Sequence, residues 1–236
     1  MRRYELALDI SMYLIEWCMN LNEQQKIVGM LEECHRDLTH IQSLMDTLES
    51  FTKESLLNIH LFKAINNEVE LWLRNRSNNS VVTLASRNVF ELYLIMLEVN
   101  SNEDSLKRFY AQLVGDRGDL NAAFMNKCKA AGYPIPESPL SVLQEETAAL
   151  PFENVTTRPF NMRNLADEHN YLEDYNFFYK LSSKLIHPSA LKVFGIESNS
   201  PQYQVVAMAG YYFVAKATDY AVSLYNDQLA LQVANT

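Results

Sequence analysis

The spacing of apolar residues predicts an all-α protein. Apolar side chains recur three and four positions apart almost throughout, which is the period of one helix face. Only 6 Gly and 7 Pro occur in 236 residues, and this low count favours helices over strands joined by turns. No stretch alternates apolar and polar residues as a half-buried strand does. We therefore expect a single all-α domain over residues 1–236, a helical bundle of roughly seven to eight helices.

Residues 1–79 are expected to form the N-terminal helices. The first is predicted over about residues 4–21. Asn22 and the acidic turn after it predict the start of a long second helix, which runs to about residue 50. Thr52 and the charged residues after it predict a third helix that extends to about residue 73.

The most apolar helix is predicted over residues 81–99, and it carries an isolated charged pair. Arg87 and Glu91 lie four positions apart, so they share a face, and the only other charge in this stretch is Glu98. A helix that is apolar nearly all round is a buried helix. Ionised side chains are rarely buried unless they are paired, because desolvating a charge costs several kcal/mol. The pair is therefore expected either to fix the packing of a core or to build a site.

Four further segments complete the bundle. Residues 101–131 predict a helix with a break near its two glycines, Gly115 and Gly118, and the sequence GYPIPESP ends it. A short helix is expected over residues 141–150, and an irregular connector follows it. Residues 163–186 predict one helix, which ends before His187-Pro188 because a proline disfavours helical geometry in the residue before it. Residues 201–232 predict a C-terminal core helix whose small residues permit close helix packing.

Composition excludes several classes of function. The net charge of −9 argues against a broad phosphate-binding surface, although a local basic groove is still possible. Three widely spaced cysteines without a CxxC motif fit free thiols in a reducing compartment. The N-terminal stretch is interrupted by acidic residues, and the uncharged run at 202–215 is too short to cross a bilayer. We expect a cytoplasmic protein without a membrane partner.

The helix predicted over residues 163–186 carries a row of polar and aromatic side chains. Tyr171, Tyr175, Tyr179, Ser183 and His187 recur every four residues, so neighbours in the row share a face. Tyr179, Ser183 and His187 are expected to face one groove. A histidine beside hydroxyl groups can transfer protons near neutral pH. The alternative is structural, with the histidine capping the last helix carbonyls while the tyrosines pack.

These motifs carry a resemblance to a known family. Over roughly residues 80–190 the chain resembles the bacterial domain-of-unknown-function family numbered 5677, and more distantly the higher eukaryotes and prokaryotes nucleotide-binding (HEPN) superfamily. The family pattern is an arginine–glutamate helix followed by a later helix of the form Y..Y..LS...HPS, and in this chain the corresponding residues are spaced Y...Y.LS....HPS. The positions that match are Arg87, Glu91, Tyr175, Tyr179, Leu181, Ser182, His187, Pro188 and Ser189.

The resemblance implies a protein that acts on RNA or nucleotides, as a metal-independent endoribonuclease of stress or phage defence. His187 would be the acid or base, and Arg87 or Lys184 would stabilise the charged phosphorane. Glu91 would hold the arginine in place, and Tyr179 or Ser183 would orient the substrate. The implied partners are RNA, a second copy in a homodimer and a partner protein, and no cofactor is expected.

The chain departs from the superfamily in one respect. HEPN ribonucleases carry an arginine four to six residues before the catalytic histidine, and none precedes His187 at that spacing. Any cation would have to come from Lys184, Lys180 or Arg87. Arg163 and His169 do match the spacing, and they form a second-choice pair.

Two other interpretations stand beside the enzyme. The first is a non-catalytic helical protein-interaction domain, in which Arg87, Glu91, Tyr179 and His187 form a buried polar network. The second is a metal site at Glu32-x-x-His35, which has the spacing of di-iron bundles. We expect no metal there. The nearby pair Asp37-x-x-His40 is offset by five residues, so it lies on a different face of the helix and cannot share one metal with the first pair.

Overall fold

The computed structural model describes residues 21–47, 52–134, 155–187, 189–194 and 201–234. Over these ranges the chain forms eight α-helices and no strand, so the predicted all-α fold is confirmed. In chain order the helices are α1 (Leu21–Met45), α2 (Lys53–Arg74), α3 (Asn79–Ser101), α4 (Glu103–Ala130), α5 (Met162–Glu168), α6 (Leu172–Leu185), α7 (Ala190–Phe194) and α8 (Pro201–Ala234). The predicted helices at 4–21 and 141–150 lie outside the described residues, apart from Leu21 at the start of α1.

The chain groups into two compact units. One takes its described residues from Met1–Met96 and Ala166–Thr236, and the other from Leu97–Leu165. The prediction of one domain over residues 1–236 stays a prediction.

The core of the first unit is built where α1, α2 and α8 pack against one another. Burial of apolar surface is the main driving force for this packing. The side chains of its core that are almost fully buried include Leu31, Leu38, Phe62, Ile65, Trp72 and Phe213. The start of α2 matches its prediction, because the Thr52 hydroxyl accepts a hydrogen bond from the Ser55 N–H at 3.1 Å.

Helix α3 supplies a further apolar face to this unit. Val82, Ala85, Val89, Phe90 and Leu94 have no exposed surface. By length and composition α3 would also pass for a membrane-spanning helix, and it is the one such helix in the described part of the chain. Half of its most apolar stretch is buried inside the protein, as a core helix requires.

Gly210 sets how closely α8 approaches its neighbours. A Cβ atom at this position would lie 2.2 Å from Ser86 Oγ on α3 and 2.8 Å from the Trp72 ring on α2. Only glycine fits between these two side chains, so the contact depends on the absence of a side chain.

The second unit is built on α4 and the segment after residue 154. The Phe160 ring lies parallel to the Phe109 ring at 6.0 Å, and the Arg108 guanidinium lies 4.6 Å from the Phe160 ring centroid. Arg108 Nη2 also donates to the Pro159 carbonyl at 3.0 Å. These contacts hold the irregular segment on the helix.

The predicted break in the helix at 101–131 is wrong. Helix α4 continues through both glycines and ends before Gly132, whose φ of +71° suits a residue without a side chain. Gly115 instead permits a close approach, since a Cβ there would lie 2.9 Å from Thr157 Cβ. A small residue inside a helix can serve packing rather than end the helix.

The single helix predicted at 163–186 is also wrong, because α5 and α6 are separate. Asn170 has a φ of +64°, and its N–H bonds the Asp167 carbonyl at 3.1 Å. The Tyr171 N–H reaches back to the Ala166 carbonyl at 2.5 Å. This pair of bonds is a Schellman motif, which ends a helix, and asparagine adopts the left-handed conformation it needs more readily than other residues with a side chain.

Helix α1 differs from its prediction at both ends. It already includes Leu21, so Asn22 lies within the helix rather than before it, and it ends at Met45 rather than near residue 50. A turn at residues 46–47 follows it. Boundaries of helices are the part of an assignment that local signals determine least.

We predict opposite effects for alanine at two glycines of the first unit. Gly210→Ala should lower the free energy of unfolding by about 1–3 kcal/mol, because its methyl group has no room. Gly29→Ala should raise it by roughly 0.5–1 kcal/mol, since its Cβ meets nothing within 4 Å in the middle of α1. Urea unfolding followed by circular dichroism measures both. A Gly210→Ala variant as stable as the native protein would contradict the close packing.

Candidate functional site

The Arg87 guanidinium is held from two sides. Its Nε donates to Glu91 Oε1 at 2.7 Å on the same helix, and its Nη1 donates to Ser182 Oγ at 3.1 Å on α6. The nitrogen Nη2 makes no hydrogen bond with the described residues. The arginine is therefore fixed in position while one donor group stays available.

The pair is half-buried rather than buried as expected. The side chains of Arg87 and Glu91 are 30% and 24% exposed. They belong to a stripe along α3, with Leu84 three positions before the arginine, that is not fully enclosed. The other faces of α3 are mostly apolar and carry its buried residues. The overall composition of α3 therefore did not indicate that one stripe is partly exposed.

Tyr179 lies over the arginine and faces solvent. The Arg87 Cζ atom lies 6.0 Å from the centroid of the Tyr179 ring, and this side chain is 54% exposed. The Tyr175 ring stacks on the Tyr179 ring with centroids 5.9 Å apart and planes 22° apart. An anchored cation therefore adjoins a pair of aromatic rings, of which Tyr179 is exposed and Tyr175 is half-buried.

Ser182, rather than Ser183, connects this cluster to the fold. Ser182 is buried, accepts from Arg87 and donates to the Tyr179 carbonyl at 3.2 Å. The Ser183 hydroxyl donates to the Lys180 carbonyl at 2.8 Å within its own helix. The sequence match included Ser182, but the four-residue row drew attention to its neighbour.

His187 lies exposed just after α6 and does not cap it. The last carbonyls of the helix have other partners: Ser80 Oγ donates to Leu185 O at 2.8 Å, and Lys192 Nζ donates to Ile186 O at 2.7 Å. The Ser189 hydroxyl binds the carbonyl of Lys184, whose own side chain is exposed. His187 makes no hydrogen bond or ion pair within the described ranges, so the capping alternative is wrong.

The structure thus brings together Arg87, Glu91, Tyr179 and Ser182, and leaves His187 outside this hydrogen-bonded group. A buried network that includes both Tyr179 and His187 is not what the chain forms, because both side chains are exposed. The charge and the aromatic ring remain in contact with solvent, where a ligand can reach them.

The second-choice pair has a different setting. Arg163 is exposed in the first turn of α5, where its backbone N–H is bound by Asn161 Oδ1 at 3.1 Å. His169 is half-buried in the turn after that helix. The two residues belong to different compact units.

A second polar cluster surrounds Lys216 on α8, and sequence reasoning missed it. The Lys216 ammonium lies 5.0 Å from the Tyr212 ring centroid and 5.7 Å from that of Tyr171. Burial raises the pKa of the Tyr93 hydroxyl, and the nearby Tyr171 hydroxyl at 3.5 Å raises it further. Burial also raises the pKa of the Asp174 carboxyl. The signal was present, because Lys216 is the first charge after residue 201 in an apolar helix, as Arg87 is in α3.

A cleft in the first unit is lined by none of the predicted site residues. This cleft of about 400 Å³ is bounded by α1, α2 and α8, with Ile27, Trp72, Arg76 and Tyr203 among its lining residues. The Arg87 cluster is an open surface instead. Cleft volume therefore does not identify the site that the motifs indicate.

No group of three His, Cys, Asp or Glu side chains suited to a metal occurs in the described ranges. His35 bonds to Asn66 instead, with His35 Nδ1 2.6 Å from Asn66 Oδ1. This contact accounts for a histidine that had the spacing of a metal ligand.

Comparison of the chain with protein-family models, with curated proteins and with solved structures found no match. The case for a function therefore depends on the residues and on their geometry.

We predict that the Arg87–Glu91 and Glu70–Arg74 ion pairs differ in strength. Double-mutant cycles should give a coupling of about 1–2 kcal/mol for Arg87–Glu91, because this pair is half-buried and also bonded to Ser182. The control is Glu70–Arg74, whose side chains are 41% and 74% exposed, and about 0.5 kcal/mol or less is expected there. Equal couplings would mean that the site pair is no more than a surface ion pair.

Proposed function

We propose that this chain is a HEPN-like helical protein that acts on RNA as a metal-independent endoribonuclease. The observation that carries the proposal is the Arg87 guanidinium, which is fixed by Glu91 and Ser182 and whose Nη2 has no hydrogen-bond partner among the described residues, beside the exposed Tyr179 ring. A guanidinium held in advance with one nitrogen available suits contact with a phosphate group, since little side-chain freedom is lost when it binds.

The chemistry needs no metal. The 2′-oxygen of a ribose attacks the adjacent phosphorus and the bond to the 5′-oxygen breaks, which leaves a 2′,3′-cyclic phosphate and a 5′-hydroxyl. His187 takes the 2′-hydroxyl proton or returns one to the leaving oxygen, and its ring, which is exposed and makes no hydrogen bond with the described residues, suits this role. Arg87 or Lys184 stabilises the charge that builds up on the phosphorane.

Each copy of the chain has one His187, but the reaction needs two proton transfers, one from the 2′-hydroxyl and one to the leaving 5′-oxygen. The family resemblance implies a two-fold homodimer in which the ends of the two α6 helices line a shared cleft. In that arrangement the second copy's histidine supplies the other transfer.

We predict that the wild-type protein cleaves RNA in the presence of EDTA and that His187→Ala loses this activity. The substrate is a mixture of structured and single-stranded RNA, and the products are tested for a 2′,3′-cyclic phosphate. Loss of a general acid or base lowers the rate by about 100-fold or more. Because His187 is exposed, the melting temperature of the His187→Ala variant should be close to that of the wild type.

His60→Ala is the matched control, because His60 is also an exposed histidine and makes no hydrogen bond or ion pair with the described residues. This variant should cleave as the wild type does. A folded wild-type protein without cleavage, or a His187→Ala variant with undiminished activity, would refute the ribonuclease.

A second function, as a non-catalytic protein-interaction domain, is supported by a different surface. Leu113, Leu120 and Phe124 on α4 are 48%, 70% and 53% exposed, and their spacing of seven and four places them on one face. Exposed apolar residues grouped on one face commonly mark a binding surface.

We predict that this function depends on the α4 face. The full chain is used to capture proteins from a lysate of its source cells, and Leu120→Glu and Phe124→Glu should both lose a partner that the wild type retains. Leu56→Glu changes a leucine of α2 that is 44% exposed, and it should retain that partner. Capture that is identical for all four proteins would count against this surface.

A further inference from the structure

Tyr175 and Tyr179 form a stacked aromatic pair in which Tyr179 is exposed and Tyr175 is half-buried. The ring centroids lie 5.9 Å apart with planes 22° apart, and Tyr179 is 54% exposed. No hydrogen bond of the Tyr179 hydroxyl occurs among the described residues, and Ser182 binds the backbone carbonyl of this residue. Replacing the Tyr179 side chain leaves that backbone bond in place.

The Tyr179 ring lies beside a cation that the fold holds in place. The Arg87 guanidinium lies 6.0 Å from the ring centroid and is ion-paired with Glu91 at 2.7 Å, and the exposed Lys180 and Lys184 follow Tyr179 on α6. The acidic first turn of α6 lies directly before Tyr175. A flat aromatic face beside a fixed cation combines the two features by which proteins bind single-stranded nucleic acid.

We propose that Tyr175 and Tyr179 are a stacking platform for an unpaired nucleobase whose neighbouring phosphate binds Arg87. This inference rests on the function proposed above for the same site and names its substrate as single-stranded RNA. In a duplex each base is already stacked between its neighbours, so it cannot reach a side chain without being unpaired. The platform therefore selects single strands without reading their sequence.

The test measures binding separately from cleavage. The probes are fluorescein-labelled 2′-O-methyl oligonucleotides, which have no free 2′-hydroxyl and so cannot be cleaved by the proposed route. Fluorescence anisotropy with the full chain compares one sequence as a single strand, as a duplex and as an abasic strand with the same phosphates. We expect the single strand to bind about tenfold more tightly than the other two probes.

Substitutions of Tyr179 test whether its aromatic ring binds the single strand. Tyr179→Ala should weaken binding of the single strand about tenfold and leave binding of the duplex and the abasic strand unchanged. Tyr179→Phe should restore binding, because the aromatic face is kept. Tyr133→Ala is the matched control, since Tyr133 is 71% exposed and lies in the other unit.

The outcomes separate this inference from the ribonuclease. Equal binding of all three probes, no binding, or an unaffected Tyr179→Ala would overturn the platform even if the protein cleaves ordinary RNA. Binding of single strands that depends on Tyr179, without cleavage of ordinary RNA in EDTA, would support the platform and refute the enzyme. Loss of a captured protein, rather than of oligonucleotide binding, in Tyr179→Ala would assign the rings to a protein partner and also overturn the proposal.

Discussion

The position of α6 relative to α3 depends on how one charge is accommodated. Arg87 lies in an otherwise apolar helix, and a partly buried guanidinium without partners would cost several kcal/mol. Glu91 supplies one partner from the same helix, and Ser182 supplies another from α6. The cost of burying the arginine is thus offset only when α6 is in place, and the stacked tyrosines are brought to the surface by the same contact.

Close packing and helix termination define the rest of the first unit. Gly210 lets α8 approach Ser86 and Trp72 closely, so the aromatic cluster around Phe213 can form at the same level as Phe90 of α3, with ring centroids 4.6 Å apart. The Schellman motif at Asn170 then separates α5 from α6. As a result, Tyr171 begins α6 and its ring packs inward on Phe90 and Phe213, while Tyr179 two turns later faces outward.

The sequence predicted what depends on local spacing. The all-α fold, the start of α2 after Thr52 and the Arg87–Glu91 contact all follow from residues within four positions of one another. Ser182 is 95 residues from Arg87, so their bond depends on tertiary packing that no local pattern contains. Asn170 failed as a signal because asparagine is also common inside loops and turns, whereas glycine would have indicated a helix end. Ser80 and Lys192 bind the last carbonyls of α6, which the capping alternative assigned to His187. Ser80 lies 105 residues before Leu185, and Lys192 follows a proline, so neither bond is part of the helical pattern.

At position 179 the backbone carbonyl is bonded within the fold, whereas the side chain is exposed to solvent. Ser182 recognises the backbone carbonyl there, and every amino acid provides that carbonyl. The bond does not depend on which side chain residue 179 carries, so substitutions can accumulate at this position with little loss of stability. Related proteins under changing selection would be able to exchange one ligand preference for another at this single position, while the buried serine and the arginine beneath it are retained.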